Sequence, residues 1–269
     1  YIAGGHREYG GEYVNTIDGE KIGGEQSDDI TGKLYWYPAD ALEVALLLGL
    51  ESSDDEHFAT YLQPRGLNNC CFRTPEAPRA REYYVGTAVP EQQVTLATDL
   101  LDAAGGAGVR LDRRRAVLDI GWQSAGGYAL RSLTGYIDDK VERGFDNSYA
   151  AYEPVPMLPG FFTNYDELEQ SDFSQELRLS SPLEQRVSWS VGVYYYEGEL
   201  NDVVSNRVYR DASEAIVVAP SFRDLSREEI TNRALFGGLQ WSLTDRLSAA
   251  LELRWARDEV TVTNRSNDA

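Results

Sequence analysis

Cysteine, histidine and methionine are scarce in this sequence, and their scarcity excludes several classes of site. The 269 residues include two cysteines, two histidines and one methionine. Two cysteines are too few for a disulfide framework, and the adjacent pair Cys70 and Cys71 lacks the second half of a zinc-binding pattern. The pair forms either a loop disulfide, within itself or to a partner outside the chain, or two free thiols.

The histidines give no sign of catalysis. His6 and His57 both lie near the N-terminus, and neither has a partner at the spacing that a metal site or an activated nucleophile requires. No Ser-His-Asp arrangement stands out elsewhere. We therefore expect no catalytic residue, no metal site and no cofactor, and interpret the protein as a non-enzyme.

Long apolar runs are also missing. The longest, from Val44 to Leu50, is far shorter than the roughly 20 residues of a membrane helix. No signal peptide opens the chain, which starts at Tyr1 and has its only methionine at Met157. We expect that a leader was removed or that the chain is an internal piece. If the protein crosses a membrane, it does so with strands.

Positive charge is the remaining deficit. The formal net charge is −19, and the only basic cluster is Arg113 to Arg115. Phosphates would be repelled by such a chain, so a nucleic-acid partner is excluded. Many of the acids, such as Asp28, Asp29, Asp54, Asp55 and Glu56, fall in or beside proposed loops, where a solvated charge is the simplest interpretation.

The sequence does have a repeated alternation of apolar and polar residues. In the stretch 171–199, Phe173, Leu177 and Leu179 share one parity, and Glu176 and Arg178 the other. A period of two is typical of a strand with one apolar and one charged face. After SPLEQ a second strand alternates in the same way, so the stretch predicts two long strands joined by a short turn.

The same pattern recurs along most of the chain and predicts about nine strands. The first falls at Tyr9 to Ile17, and further strands lie near residues 30–37, 42–50, 115–122, 128–138, 230–243 and 247–255. A helix is the competing interpretation for Leu42 to Leu50, because Ala and Leu favour it. One short helix is predicted at Glu91 to Ala103.

The predicted connections alternate strictly between two sizes. The short ones are PADA, SAGG, SPLEQ and LTDR, and the long ones include residues 54–112, 140–170 and 201–229. In an up-and-down sheet this alternation places every tight turn at one end, which is typical of outer-membrane barrels.

Tryptophan placement supports a membrane barrel over a soluble sandwich. Four tryptophans lie within a few residues of a short turn on the apolar parity, which predicts an aromatic girdle at one height: Trp36, Trp122, Trp189 and Trp241. Predicted strands of about 11 to 13 residues would span an apolar band about 25 Å tall. The fold class is therefore all-β, an antiparallel up-and-down barrel segment with long extracellular loops.

Three stretches resemble the barrel of TonB-dependent outer-membrane receptors: GKLYWYPADALEVALLLG, SQELRLSSP with WSVGVYYYEGE, and ALFGGLQWSLTDRLSAALELRW. The similarity covers nearly every strand from about residue 30 onward. No plug, TonB box or terminal aromatic residue is visible. We therefore interpret residues 1–269 as the N-terminal part of the barrel without plug and C-terminal strands, which should form an open curved sheet.

The resemblance implies TonB-energised uptake of a scarce ligand, such as a ferric siderophore or similar iron chelate, across the outer membrane of a Gram-negative bacterium. The implied partners are outer-membrane lipid, a small-molecule ligand, and TonB acting through a plug that this chain lacks. Ligand contacts are predicted in outside loops, at Tyr83, Tyr84, Phe161, Phe162 and Tyr165. Charged residues are predicted to face the lumen, at Lys33, Glu176, Arg178, Glu252 and Arg254.

Other functions stay open from the residues alone. A passive porin shares the barrel but has no plug. A soluble β-sandwich carbohydrate-binding module would bury the apolar parity against a second sheet. An outer-membrane barrel hydrolase is weakened by the two histidines.

Overall fold

The chain folds into one antiparallel sheet. The computed structural model describes residues 1–59, 94–146, 163–211, 213–221, 225–244 and 246–265. Ten strands and one short helix follow one another: β1 Ile2–Val14, β2 Lys21–Ala39, β3 Leu42–Asp55, α1 Thr98–Asp102, β4 Gly108–Gln123, β5 Ala129–Asp146, β6 Thr163–Ser180, β7 Val187–Arg210, β8 Ile216–Pro220, β9 Leu225–Thr244 and β10 Leu247–Arg265. Among the described residues, no helix is long and apolar enough to cross a membrane.

The strands are ordered as the up-and-down prediction required. Neighbours run β1-β2-β3-β4-β5-β6-β7-β9-β10, and β8 pairs only with β7. The path is open, because β1 and β10 do not pair with each other. Leu42 to Leu50 lies within β3, so the strand interpretation of this segment is confirmed and the helix is not formed. The helix predicted at Glu91 to Ala103 is reduced to α1 in the part that is described.

Most strands are longer than the sequence predicted, which corrects several boundaries. They commonly run from 13 to 24 residues. β1 begins at Ile2, β2 at Lys21, and β5 continues to Asp146. The connection predicted over residues 201–229 is wrong, because β7 continues to Arg210 and the short β8 follows. These extensions carry charge on both faces, so the alternation fades while backbone pairing continues.

Connections of the two kinds lie at opposite ends of the sheet. We call the end with the tight turns the turn end; its connections are residues 40–41, 124–128, 181–186 and 245–246. The other is the loop end, with connections 15–20, 56–107 and 147–162. The tight turns lie at one end of the sheet, as predicted, but the strict alternation in length does not hold, because connection 15–20 is as short as connection 181–186. At the turn between β4 and β5, Gly127 has φ +82°, a conformation that glycine adopts at little cost.

The two faces of the sheet differ in chemistry. The apolar face carries Leu177, Val191 and Leu251, which are 42%, 40% and 57% exposed. No second sheet covers them within the described ranges, so the sandwich alternative is wrong there. The charged face carries the opposite parity, including Glu176 and Arg178.

Sheet register aligns the tryptophans near the turn end. Trp36 pairs with Val44, and the same row continues through Ile120, Ser132, Leu177 and Val193 to Leu235. Trp241 lies six residues beyond Leu235, after six steps between strands. Six residues span about 20 Å and six strand spacings about 29 Å, which corresponds to a strand tilt of about 35°. Tilted barrel strands show such an offset, so a strand tilt of about 35° would bring Trp36 and Trp241 to one height.

A second aromatic band crosses the apolar face towards the loop end. After correction for the same offset, its members lie about seven to eight residues above the tryptophan level: Tyr136, Phe173, Tyr195 and Trp255. That separation is about 25 Å along the strands and about 20 Å along the axis of a tilted barrel. Phe173 and Tyr195 are neighbours, with ring centroids 6.4 Å apart.

The buried core of the described residues is small and lies at the loop end. We call residues 94–107, which include α1, the cap. Val94 and Leu96 pack against Ile22, and Ala97 and Leu100 pack against Val208. Ile22 and Val208 continue the parity of the apolar face, so the cap covers that face beyond the second aromatic band.

Candidate functional site on the charged face and beneath the cap

Two arginines and two aromatic rings form a compact cluster on the charged face. Arg178 of β6 lies over the ring of Phe236, 5.2 Å from its centroid. Arg254 of β10 lies 5.9 Å from the same ring and 5.6 Å from that of Tyr194. Four neighbouring strands thus contribute to one set of cation–π contacts, which hold the guanidinium groups over apolar surface.

A glycine makes room for this cluster. Gly192 pairs with Phe236 across β7 and β9, and a methyl group built on Gly192 would overlap the ring. The absence of a side chain therefore lets Phe236 lie flat on the sheet. Sequence alternation placed Gly192 on the charged face but did not indicate that it lies under Phe236, because the pairing of β7 with β9 joins residues distant in sequence.

The five charged residues predicted to face the lumen do not all lie together. Glu176 bonds to Arg178 at 2.9 Å between Oε1 and the guanidinium, and Glu252 lies beside Gly238, opposite it in register. Lys33 lies elsewhere, on β2, with its ammonium 4.7 Å from the ring centroid of Tyr35. Four of the five predicted charges therefore belong to one region and the fifth to another.

Further ion pairs that the sequence did not single out continue across the charged face. Arg131 donates to both carboxylate oxygens of Asp119, at 2.9 and 2.5 Å. Arg113 makes a bidentate pair with Asp139, at 2.9 and 2.8 Å, and lies 3.8 Å from Glu51. The available signal was parity alone, since Arg113, Asp119, Arg131 and Asp139 are all odd-numbered positions on adjacent strands.

Beneath the cap, the imidazole of His57 is buried and makes hydrogen bonds with both ring nitrogens. His57 is 1% exposed; its Nε2 accepts a hydrogen bond from the backbone N–H of Asp146 at 2.9 Å, and its Nδ1 lies 2.8 Å from the carbonyl oxygen of Phe58. An acceptor Nε2 and a donor Nδ1 describe a neutral imidazole. Burial lowers the pKa of His57 below its ordinary 6.5.

Asn15 and Asp146 anchor the cap to the sheet. The Asn15 side chain donates to the Leu96 carbonyl at 2.8 Å and accepts from the Leu96 N–H at 3.0 Å. The Asp146 carboxylate accepts from the N–H of Ala97 at 2.8 Å. These bonds satisfy backbone groups of an otherwise irregular segment, which is why both side chains are tolerated at full burial.

Tyr165 is the only predicted ligand-contacting residue in the described part of the chain. It is 5% exposed, and its ring lies against Gly105 of the cap. Burial raises the pKa of Tyr165 above 10. The structure gives this ring a packing position, so ligand contact at Tyr165 stays a prediction that requires the cap to move. Tyr83, Tyr84, Phe161 and Phe162, like Cys70 and Cys71, lie outside the described residues.

The comparisons with known proteins identify the fold. No protein-family model and no curated sequence matches the chain. Among solved structures, the ferric yersiniabactin uptake receptor FyuA from Yersinia pestis is similar, with a TM-score of 0.57 and 13% identity over 97% of this chain. The copper transporter OprC gives a TM-score of 0.56 and 12% identity over 96%.

The chain therefore shares its fold with part of both solved structures, and the expected all-β, antiparallel barrel segment is confirmed as an open ten-stranded sheet within the described residues. The chain covers 39% of the FyuA chain and 32% of the OprC chain. It therefore spans about a third of the length of these proteins.

Proposed function

We propose that the chain forms part of the barrel wall of a TonB-dependent receptor in the outer membrane of a Gram-negative bacterium, and that this receptor imports a ferric siderophore or similar iron chelate. The observation that carries the proposal is the pair of aromatic bands on the apolar face. Aromatic girdles at both interfaces enclose the apolar band of an outer-membrane barrel, which is about 25 Å tall. The two bands here lie about 20 Å apart along the axis.

This assignment orients the sheet. The apolar face contacts lipid, the turn end lies in the periplasm, and the loop end lies outside the cell. The charged face then lines the lumen, where Arg178, Arg254 and Glu176 can pair with polar groups of a plug domain carried elsewhere in the full protein. TonB would act through that plug.

Ligand capture is assigned to the loop end. Tyr83, Tyr84, Phe161 and Phe162 belong to the two longest connections there, and their rings suit the face of a chelate. The two similar solved structures are an uptake receptor for ferric yersiniabactin and a copper transporter, which supports a metal-containing ligand for this protein.

Uptake by the full-length protein tests the proposal. Cells that express it, with and without a functional TonB, are supplied with radioactive iron as a panel of ferric siderophores, and with copper as a second cargo. We expect accumulation of at least one ferric chelate only when TonB is functional. Accumulation that is independent of TonB would instead identify a diffusion channel, and no accumulation of any metal chelate would contradict the assigned ligand class.

Substitutions on the charged face test whether that face lines the lumen. Replacing Arg178 and Arg254 together by Gln should reduce TonB-dependent uptake, because the cluster that would bind the plug loses both charges. Replacing Arg227 by Gln is the matched control, since Arg227 lies on the other face and pairs with Glu199 at 2.7 Å. Equal uptake by the double variant and the control would remove the role proposed for the cluster.

A further inference from the structure

Two arginines face each other on neighbouring strands within the second aromatic band. Arg233 of β9 and Arg257 of β10 are direct register partners on the apolar face. Like charges directly opposite each other destabilise a sheet unless something compensates them, because their side chains are only about 5 Å apart at Cβ.

The described residues offer the pair one carboxylate at ion-pair distance. Arg257 bonds to Glu259 at 2.5 Å. The guanidinium of Arg233 lies over the ring of Tyr195, 5.9 Å from its centroid, and no carboxylate of the described ranges lies within ion-pair distance of it. Of the two opposed guanidinium groups, only that of Arg257 therefore has a carboxylate at ion-pair distance in the described part of the chain, while Arg233 lies over Tyr195, whose hydroxyl bonds to Glu197 at 2.8 Å.

The position of the pair distinguishes it from other arginines. Arg114 and Arg233 each lie eight residues from the tryptophan of their own strand, Trp122 and Trp241, so they share a height. Arg114, however, has the carboxylate Asp138 as its register partner. Arg233 has Arg257 instead, with Trp255 two residues away on the same face.

We propose that Arg233 and Arg257 bind the phosphate of an outer-leaflet lipid headgroup. The inference rests on the proposed membrane orientation, which puts this band at the headgroup level. Guanidinium groups bind phosphate oxygens in a bidentate manner, and a phosphate between them would remove the repulsion of the opposed charges. The rings of Tyr195 and Trp255 would lie beside the acyl chains at the same level.

Native mass spectrometry of the full-length protein tests this inference. The protein is reconstituted with phosphorylated glycolipid, with phosphatidylglycerol or with phosphatidylcholine, and retained lipid is counted after detergent extraction. We expect retention of the phosphorylated anionic lipids over phosphatidylcholine. The double variant Arg233→Gln/Arg257→Gln should lose that retention by about tenfold or more, since each charge-assisted phosphate contact contributes about a tenfold factor in affinity.

Arg114→Gln is the matched control and should retain as much lipid as the unaltered protein. Arg233→Lys keeps the charge but loses the fork geometry, and should give an intermediate value. Competition with inorganic phosphate separates a free-phosphate site from a lipid site, because only a free-phosphate site would be emptied by millimolar phosphate. That emptying, or equal retention by the double variant and the control, would overturn the proposal.

A variant that keeps only Trp189, reconstituted in the same lipids, separates this inference from the proposed function. If lipid-attached quenchers reach Trp189 but the arginine variants do not change lipid retention, the membrane orientation stands and the phosphate site is rejected. If no quencher reaches Trp189, the orientation fails and the site fails with it.

Discussion

Trp36 and Trp241 stand six residues apart in the register of the sheet and six strands apart in its order, the offset that a strand tilt of about 35° would convert into one height. The four turn-end tryptophans lie on β2, β4, β7 and β9, which spreads one level across most of the sheet. This relationship links the hydrogen-bond pattern of the sheet to its proposed position in a bilayer.

Variants with a single tryptophan report depth in the membrane. The full-length protein that keeps only Trp189, or only Trp255, should be quenched more strongly by lipids brominated near the headgroup than by lipids brominated near the chain end. A tryptophan introduced by Leu118→Trp, between the two bands, should show the reverse order. Trp189 fluorescence that no brominated lipid quenches would contradict the assignment of the apolar face.

A larger residue under Phe236 should destabilise the sheet. Gly192→Val forces the ring off the charged face and should lower the free energy of unfolding by about 1–3 kcal/mol, the usual cost of overpacking. Gly121→Val is the matched control, because Gly121 also lies on the charged face and an added Cβ there meets nothing within 4 Å. Urea-induced unfolding from lipid vesicles measures both, and equal losses would show that the Phe236 contact is not the cause.

Three polar side chains form a hydrogen-bonded network on the apolar face, and this network should stabilise the sheet. Gln175 accepts from Thr134 at 2.6 Å and donates to Ser132 at 3.0 Å, and all three lie between the aromatic bands. Gln175→Leu should cost about 1 kcal/mol despite its greater hydrophobicity, since it removes the partner of both hydroxyl groups in a medium without water.

The triple change Ser132→Ala, Thr134→Val and Gln175→Leu should recover that loss, because no polar group is then left without a partner. Unfolding free energies of the single and triple variants are compared in the same vesicles. A single variant that is more stable than the unaltered protein would show that the network does not support the β5–β6 pairing.

The pH dependence of the cap follows from His57. Its folded-state pKa is lowered by burial, so the unfolded state binds more protons as the pH falls below about 6.5, and folding of the cap loses stability in that range. Above that pH both states are neutral and the contribution is complete. Asp146 also faces the ring and favours its charged form, which limits the loss without reversing it.

Hydrogen exchange at the Ala97 and Asp146 amides measures this effect. Protection of both should decrease between pH 7.5 and 5.5, because protonation of Nε2 removes the acceptor of the Asp146 N–H. His57→Gln keeps an acceptor without a titration and should abolish most of the pH dependence. Protection that rises on acidification would show that His57 is charged in the folded cap.

The alternation of apolar and polar residues was enough to predict the fold class, the residues that share each face of the sheet, and the end of the sheet at which the tight turns lie. Leu177 and Arg178 fall on opposite faces because successive side chains in a strand must, and Pro182 marks a strand end because it cannot donate to a ladder. The strand limits at the loop end were less predictable. β7 continues to Arg210 through residues that are polar on both faces, and backbone pairing there depends on partners rather than on a pattern.

Only part of the candidate site could be predicted from the sequence. Parity placed Glu176, Arg178, Glu252 and Arg254 on one face, but their shared contact with Phe236 depends on the register between β6, β7, β9 and β10. The burial of Tyr165 depends on contact with the cap, whose residues 94–107 lie more than 50 positions earlier in the sequence. Neither relation leaves a local signal.

By itself, the sequence determined that this protein is a sheet of long antiparallel strands with one apolar and one charged face, because the two-residue period is a local property of the chain. Only the tertiary structure decided the heights of the aromatic rings, the opposition of Arg233 to Arg257 and the covering of His57. Those features arise from strand register and from contacts between distant segments, which hydrogen bonding across the whole sheet fixes together.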